Sequence, residues 1–405
     1  MINGLFPKNL IPSITVLFIC LPIFKIHAQF VDNFDTNSLK TDLKALHGWA
    51  CKTGDGDAEM NFYEDGNGHA VIDVDAAKDK RGIWWALIRH YVSADMDLNL
   101  LRNPRFGIRV ETRIKVSDAP KRVNLHLNTQ RTTDFHSNLM EYDIPDTNNW
   151  HTISMTLRNF NAVPGDSVYG QMALMDWGFA RYRILLDYYK VDIVNIDSIG
   201  PDLGIAVPYH PPVRSASEFE NHISVNQDAI IDNKYADKNF NKWTVIDNSV
   251  TMNLIAVSSS QFIIMRWDME KYRGKKVKGS GLLELTAFSV QRSPEYITDF
   301  GMIRVSEIIG GNSNWRQDEI TYNNFCQGRP LSSLINSQMI IDVDVNNLKG
   351  AKTFITLSNP VLQRLIDGKT LGIAISPLGA VAASFYAMEN KDVNVAAKIH
   401  LNFEK

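Results

Sequence analysis

The chain has little cysteine, with three residues among 405. Cys20 lies in the apolar N-terminal stretch, and only Cys51 and Cys326 follow it. We expect these two in different domains, where either one disulfide joins them or both stay free as structural thiols, and free thiols are favoured. A disulfide-rich scaffold is excluded, so stability must come from a buried hydrophobic core.

The chain also lacks a charge excess, with a net charge of −3 and a pI near 6.4. Nothing in that balance favours a nucleic-acid partner. Zinc-ligand spacing, phosphate-loop spacing and a nucleophile elbow are absent from the sequence. We therefore predict no cofactor. Asp55, Asp57 and Asp73 could hold a structural calcium ion, but Asp-Gly-Asp is more often a turn.

No apolar run is long enough for a comfortable membrane span. Residues 1–28 instead resemble a secretory signal, in which Lys8 precedes a largely apolar run over residues 10–24. Ala28 supplies the small residue before a cut at Gln29. A lipid anchor on Cys20 is disfavoured because no small residue precedes it. We expect export, to the periplasm or beyond.

A helical period of 3.6 is missing from long stretches, whereas short runs of period two dominate. This pattern predicts an all-β protein of two antiparallel β-sandwiches. We expect a jelly roll over residues 30–212, a linker over 213–223 and a second sandwich over 224–405. The predicted strands include Ala70–Val74, Trp84–Tyr91, Phe106–Val116, Val123–Gln130, His151–Leu157, Gly170–Met175, Tyr182–Ile196, Gln261–Trp267, Gly281–Phe288, Gly301–Ile309, Met339–Val345, Thr353–Leu357, Leu371–Ser376 and Lys398–Phe403.

The strand that begins at Val123 has two unlike faces. Val123, Leu125 and Leu127 alternate with Asn124, His126, Asn128 and Gln130. The first set can enter a core, because successive side chains of a strand point to opposite faces. The second set carries amides and an imidazole, which donate and accept hydrogen bonds in fixed directions. We interpret this polar face as the floor of a binding groove.

Positive charge is concentrated around this strand, with eight basic and two acidic residues between positions 101 and 131. One interpretation is a solvated face whose charges are neutralised elsewhere in the fold. The other is a groove for an anionic ligand, since arginine matches carboxylate and sulfate oxygens. The basic residues are Arg102, Arg105, Arg109, Arg113, Lys115, Lys121, Arg122 and Arg131.

A hairpin from residues 123–130 to 136–142 would bring a potential catalytic set together. Its proposed catalytic members are His126, His136, Tyr142 and Arg131. The proposed substrate-binding residues are Asn124, Asn128, Arg109, Trp85 and Glu141. Trp85 is included because one of the adjacent Trp84 and Trp85 must face outward, where an indole can stack on a sugar ring. The alternative is that both indoles are structural. No metal ligand is assigned.

Such a set suits elimination from a uronic acid. His126 or His136 would remove the C5 proton, while Arg131 and Asn128 neutralise the neighbouring carboxylate. Tyr142 would protonate the departing oxygen at C4. Loss of water would make the enzyme a dehydratase, and loss of a glycosidic oxygen a polysaccharide lyase. A glycoside hydrolase using Glu111 or Glu141, and a glycan-binding protein without catalysis, remain open.

The second sandwich is similar to a known module. It opens at 228–232, continues through 262–268 and 281–285, and carries Trp-x₃-Glu-x-Thr-Tyr-Asn from Trp315 to Asn323. Glu389 lies in its last part, after Met388. This order resembles the DNRLRE domain, a carbohydrate-associated β-sandwich of secreted polysaccharide-degrading proteins.

The whole layout resembles the two-domain oligosaccharide dehydratases of algal ulvan-degradation loci. The resemblance implies an anionic oligosaccharide of uronic acid and sulfated rhamnose as the partner. It carries no assignment of individual catalytic residues.

Overall fold

The computed structural model describes residues 29–35, 48–53, 58–77, 85–94, 96–134, 137–175, 181–207, 212–241, 243–292, 301–336, 338 and 340–405. Most secondary structure in these residues is strand, arranged in antiparallel sheets that form two sandwiches. The predicted fold class is therefore confirmed. The predicted signal segment, residues 1–28, lies outside the described residues. Among the described residues, no helix has the length and apolarity needed to cross a membrane.

The first sandwich is built from twelve strands of the described chain. They are β1 (Phe30–Asp32), β2 (Ala50–Thr53), β3 (Glu59–Glu64), β4 (Ala70–Asp75), β5 (Trp85–Tyr91), β6 (Phe106–Val116), β7 (Lys121–Thr129), β8 (Leu139–Ile144), β9 (His151–Leu157), β10 (Val168–Met175), β11 (Arg181–Asn195) and β12 (Ile205–Val207). Sheet A has the order β3-β4-β11-β6-β9, with β1 paired to β11. Sheet B has the order β12-β8-β7-β10-β5-β2.

The core of this sandwich lies between sheets A and B. Alternate residues of β6, such as Ile108, Val110 and Ile114, are fully buried and pack with apolar residues of sheet B. Burial of these faces drives the two sheets together. The ends of β6 and β9 agree with prediction, because strict alternation marks them, whereas β7 begins two residues earlier than predicted.

The second sandwich has the strands β13 (Asn221–Ser224), β14 (Gln227–Asp232), β15 (Thr244–Asp247), β16 (Val250–Val257), β17 (Gln261–Arg266), β18 (Gly281–Arg292), β19 (Met302–Ile308), β20 (Ile341–Val343), β21 (Lys352–Leu357), β22 (Gly372–Leu378), β23 (Val381–Tyr386) and β24 (Lys398–Leu401). Sheet C has the order β13-β24-β18-β23-β16-β15, with β21 paired to β18, and sheet D the order β14-β17-β22-β19-β20. Two short helices accompany them, α1 (Tyr322–Cys326) and α2 (Asn359–Ile366).

Both cysteines of the described chain are free, so the favoured expectation of two thiols is confirmed. Burial raises the pKa of Cys51 to about 12, which keeps this thiol protonated and unreactive. The signature residue Trp315 is also buried, in a cluster that packs outside sheet D. An indole in that position packs against the fold and is not presented to a sugar.

The two sandwiches contact each other beside β7 and β8. Arg364 on α2 donates through Nη1 to Asp143 Oδ2 of β8 at 2.6 Å. Asn336 Nδ2 donates to the carbonyl oxygen of Pro120 at 3.1 Å, just before β7. The second sandwich therefore abuts one end of the polar face of sheet B.

Candidate functional site

The alternation predicted for β7 is present in the structure. Its odd-numbered side chains from 123 to 127 are completely buried in the core between the sheets. Asn124, His126 and Asn128 point to the opposite, outer face of sheet B, because adjacent strand residues alternate. The three side chains follow one another along a single strand, with the imidazole in the middle.

Asn124 and Asn128 are buried without hydrogen bonds. Their exposed fractions are 1% and 2%, and neither amide atom of either side chain has a hydrogen-bond partner. A buried polar group left unsatisfied costs about 1–3 kcal/mol, and protein folds rarely tolerate it without a reason. Each amide offers two donor hydrogens and an acceptor oxygen, so a hydroxylated or carboxylated ligand can satisfy both ends.

The neighbouring strands add polar groups to the same face. On β10, Tyr169 pairs with Asn128 and Gln171 pairs with His126. On β5, Arg89 pairs with Gln171, and its guanidinium carbon lies 3.5 Å from the centre of the Tyr169 ring. Stacking of a cation on the phenol fixes both side chains over the sheet.

We name this surface the amide face. It consists of Asn124, His126 and Asn128 on β7, Tyr169 and Gln171 on β10, and Arg89 on β5. Sequence reasoning indicated that Arg89, near the end of its strand, could reach the groove, but it missed Tyr169 and Gln171 of β10. The alternation of Tyr169 and Gln171 with Val168 and Met172 could have indicated that they face outward, but not that they border β7.

Gly170 lets the core support this face closely. A Cβ atom at Gly170 would lie 2.9 Å from Cε1 of Tyr189, a contact that side chains do not tolerate. Because the position is glycine, Tyr189 packs directly beneath β10 and its hydroxyl donates to the carbonyl oxygen of Gln171 at 3.2 Å. The strand segment that carries Tyr169 and Gln171 is thereby held in place.

Glu141 lies at one end of the amide face, as a residue of β8 that pairs with Asn124. It is 3% exposed and accepts a charge-assisted hydrogen bond from Arg122 Nη1 at 2.8 Å. The predicted placement of Glu141 beside the amides agrees with the structure. Because Arg122 compensates its charge, Glu141 borders the site without adding net negative charge to it.

Tyr142 does not belong to the site, which corrects the prediction that it is the catalytic acid. It pairs with Val123 and therefore faces the core, where it is 1% exposed. Its hydroxyl donates to the backbone oxygen of Ser154 at 2.5 Å, and burial raises its pKa well above the ordinary value. The predicted hairpin of β7 and β8 is correct, but its register turns this phenol away from His126.

The structure also corrects the predictions for Arg131 and Arg109, because each guanidinium forms hydrogen bonds with carboxylates. Arg131 forms two hydrogen bonds to Asp166, from Nε to Oδ1 at 3.0 Å and from Nη2 to Oδ2 at 2.5 Å. Arg109 lies on sheet A, buried among Asp202, Glu111 and Ser154. Because both guanidiniums are already paired with carboxylates of the fold, the structure does not support Arg131 as the predicted carboxylate clamp or Arg109 as a substrate-binding residue.

The wider basic cluster is largely neutralised in the same way. Six of its eight members form ion pairs with a carboxylate, and they are distributed over both sheets and the turns. The interpretation of a face with neutralising partners is the one the structure supports. The paired residues are Arg105, Arg109, Arg113, Lys121, Arg122 and Arg131.

Other predicted residues have different outcomes. His136, Asp55 and Asp57 lie outside the described residues. Trp85 is the first residue of β5 and pairs with Met175 on β10. Asp73 is engaged by Arg183 and by the hydroxyl of Tyr63. In the described part of the chain, no three His, Cys, Asp or Glu side chains are grouped to hold a metal ion.

Glu111 and Glu141 cannot act as a glycosidase pair. Glu111 lies on β6 of sheet A and binds the Tyr188 hydroxyl, whereas Glu141 lies on β8 of sheet B. Both side chains point outward from sheets that pack face to face, so the core separates them. The required arrangement of two carboxyl groups about one glycosidic bond is excluded for this pair.

No protein-family model matches the chain, and no curated protein matches it. Among solved structures, it is similar to a family 11 carbohydrate-binding module from Clostridium thermocellum bound to a mixed-linked tetrasaccharide, at 11% identity and a TM-score of 0.27. That match covers 40% of this chain and 95% of the module. The tandem CBM22 modules of Xyn10C from Paenibacillus barcinonensis match at 10% identity and a TM-score of 0.26, over 93% of this chain and 98% of theirs.

A further match is a carbohydrate-binding module of the β-sandwich superfamily, at 14% identity and a TM-score of 0.25. It covers 37% of this chain and 58% of the other. The likeness to all three is one of fold alone, that of a β-sandwich.

Proposed function

We propose that the amide face binds an anionic oligosaccharide and eliminates across C4–C5 of a uronic acid residue, as a carbon–oxygen lyase. The observation that carries this proposal is the pair Asn124 and Asn128, buried on either side of His126 with all four amide atoms unsatisfied. Sugar hydroxyls and a uronate carboxylate offer the donors and acceptors that these amides require.

The chemistry follows from the positions of the side chains. His126 removes the proton from C5, while amide donors of Asn128 and Gln171 stabilise the carboxylate as charge develops on it. The C4=C5 double bond forms as the C4–O bond breaks. Tyr169 gives its proton to the departing oxygen, and Arg89 over its ring stabilises the phenolate that remains. His126 then releases its added proton to solvent and Tyr169 takes up a proton from solvent, so both groups return to their starting forms before the next turnover.

Tyr169 takes the acid role in this proposal because of its register. It pairs with Asn128, two residues beyond His126 along β7. Diagonal neighbours on adjacent antiparallel strands are about 7–8 Å apart, within reach of long side chains. Two reacting groups on one sugar ring fit between side chains at this separation.

The leading form is a dehydratase acting at the non-reducing end of algal ulvan fragments, in an exported protein. If the C4 oxygen is a hydroxyl, water departs; if it is a glycosidic oxygen, the chain is cut. Ultraviolet absorbance of unsaturated uronate, with mass spectrometry of the products, distinguishes the two. We expect water loss without shortening, and His126→Ala should lower the rate by about 10²- to 10⁴-fold.

A glycan-binding protein without catalysis is the second candidate, favoured by the two buried amides, which suit hydroxyl recognition as well as catalysis. Saturable binding that survives His126→Ala, with no ultraviolet or mass change in any product, would establish it and contradict the lyase. Asn124→Ala and Asn128→Ala should weaken binding under either candidate. Undiminished binding by both variants would place the ligand elsewhere.

A further inference from the structure

A second set of unsatisfied oxygens lies in the other sandwich. Asp228 on β14 is 2% exposed. Its Oδ2 accepts a hydrogen bond from the backbone N–H of Met388 at 2.9 Å, whereas its buried Oδ1 has no hydrogen-bond partner. A carboxylate can only accept hydrogen bonds when it is ionised, so in the ionised form of Asp228 the Oδ1 atom requires either a donor or a cation.

Two further oxygen-bearing side chains lie on the chain segments next to this carboxylate. Glu389 follows Met388 directly, and its Oε1 accepts a hydrogen bond from Gln317 Nε2 at 2.7 Å. The amide oxygen of Gln317 is buried and has no hydrogen-bond partner. Three chain segments, around residues 228, 317 and 389, therefore bring carboxylate and amide oxygens together at one end of the second sandwich.

Among the residues that the structure describes, no positive side chain acts on Asp228 or Glu389. The charged group that acts on Asp228 is the like-charged carboxylate of Glu389. Burial, followed by that repulsion, raises the pKa of Asp228 to about 8. By contrast, Asp232 on the same strand is equally buried, but its Oδ1 accepts hydrogen bonds from the backbone N–H groups of Lys234 and Tyr235.

We propose that Asp228, Glu389 and Gln317 form a calcium site. The set contains only oxygens, from two carboxylates and an amide, which calcium prefers and zinc does not. Glu389 is exposed, so water can complete the six to eight ligands that calcium takes. The site has two acidic ligands, and its third ligand is the unsatisfied amide oxygen of Gln317.

The position of the site indicates a structural role. It connects the first strand of sheet D to the loop before α1 and to the segment that follows β23. A cation there joins three segments that are distant in the sequence and stabilises the second sandwich against opening. The amide face belongs to the first sandwich, so the calcium site is independent of the proposed activity.

The test is calcium binding by the full chain after treatment with a chelator. Calorimetric titration with CaCl₂ should give saturable binding, and saturating calcium should raise the melting temperature by roughly 5 °C or more. MgCl₂ should give a smaller shift, because magnesium releases its water reluctantly. Asp228→Asn and Glu389→Gln should each reduce calcium affinity at least tenfold.

Two variants serve as matched controls. Asp232→Asn makes the same substitution at a buried position of the same strand, and Asp73→Asn tests the calcium position considered in the first sandwich. Both should retain the calcium response. Because Glu389 is exposed, Glu389→Gln should fold even if Asp228→Asn does not. Absence of calcium binding by the wild-type chain, or full affinity in Glu389→Gln, would overturn the proposal.

Discussion

Two tyrosines on the strands that flank β7 point to opposite faces of sheet B. Tyr142 faces the core, where its hydroxyl is bound to Ser154, whereas Tyr169 lies on the amide face beneath the guanidinium of Arg89. A buried phenol with a raised pKa and a satisfied hydroxyl cannot exchange protons with a substrate. The proposed acid role therefore belongs to the phenol on the outer face of the sheet, because position within the pleat decides which side chains a substrate can reach.

The matched substitutions Tyr169→Phe and Tyr142→Phe test this assignment. Tyr169→Phe should lower the rate of unsaturated uronate formation by about 10²-fold or more, since it removes the proton donor. Tyr142→Phe should leave that rate within about twofold and lower the free energy of unfolding by about 1 kcal/mol. Initial rates by ultraviolet absorbance and urea unfolding measure the two effects. The reverse pattern would restore Tyr142 as the acid.

The amides and the imidazole of β7 could be predicted from the sequence, because alternation along one strand is a local property. The face of Tyr142 could not be predicted in this way. It depends on which residue of β8 lies opposite Val123, and a shift of one residue in the pairing would have reversed every side chain of that strand. The ion pairs of Arg109 and Arg131 depend on partners that are distant in the sequence, which local patterning does not reveal.

At the scale of strands, period two predicted where many elements lie but not which are neighbours. The ends of β6 and β9 follow from their strict alternation. The pairing of β7 with β10, and of β10 with β5, brings together segments that are far apart in the chain. Tyr169 and Gln171 therefore join the site through the order of the strands in sheet B, which the sequence pattern does not contain.

Sheet C contains a carboxylate whose ionisation stabilises the fold. Glu284 on β18 contacts Nε2 of His400 on β24 at 3.0 Å and Nζ of Lys352 on β21 at 2.7 Å. Burial alone would raise its pKa, but these two contacts outweigh that effect and lower the pKa to about 2. A carboxylate with a depressed pKa stabilises the fold above about pH 4.5, and this contribution is lost as the pH falls towards 2.

Glu284→Gln should therefore destabilise the protein at pH 7 and make unfolding less sensitive to pH between 4.5 and 2. Urea unfolding followed over that range measures the change. Asp318→Asn is the control, because its partner Arg316 is exposed and such surface pairs contribute about 0–1 kcal/mol. If the free energy of unfolding falls between pH 4.5 and 2 as steeply as in the wild type, Glu284 does not contribute to that fall.

At the scale of the whole molecule, the two sandwiches are joined by buried charge. Arg364 donates to Asp143 of the first sandwich and, through Nε and Nη2, to Glu307 of the second at 2.8 and 2.9 Å. Gln338 adds hydrogen bonds to both backbone groups of Arg122. The sequence did not predict this interface, because residues 143 and 364 are 221 positions apart and their charges carry no periodic signal.

Replacing Arg364 should loosen this junction. Arg364→Met leaves the carboxylates of Asp143 and Glu307 buried without their cation, a change that typically costs about 3–5 kcal/mol. We expect a lower melting temperature and unfolding in two separate steps, because each sandwich has its own core and loses the buried ion pair that joins it to the other. Differential scanning calorimetry measures both effects.

The control for this prediction is Arg304→Met, which breaks an ion pair with Asp342 inside the second sandwich. That variant should lower stability without separating the transitions. The double variant Arg364→Met with Asp143→Asn should recover part of the lost stability, because it removes one of the two buried charges left without a partner. A single transition in Arg364→Met at the wild-type temperature would mean that the junction does not couple the sandwiches. Since Asp143 lies on β8, whose neighbour β7 carries His126, a lower elimination rate in Arg364→Met would show that the second sandwich supports the amide face.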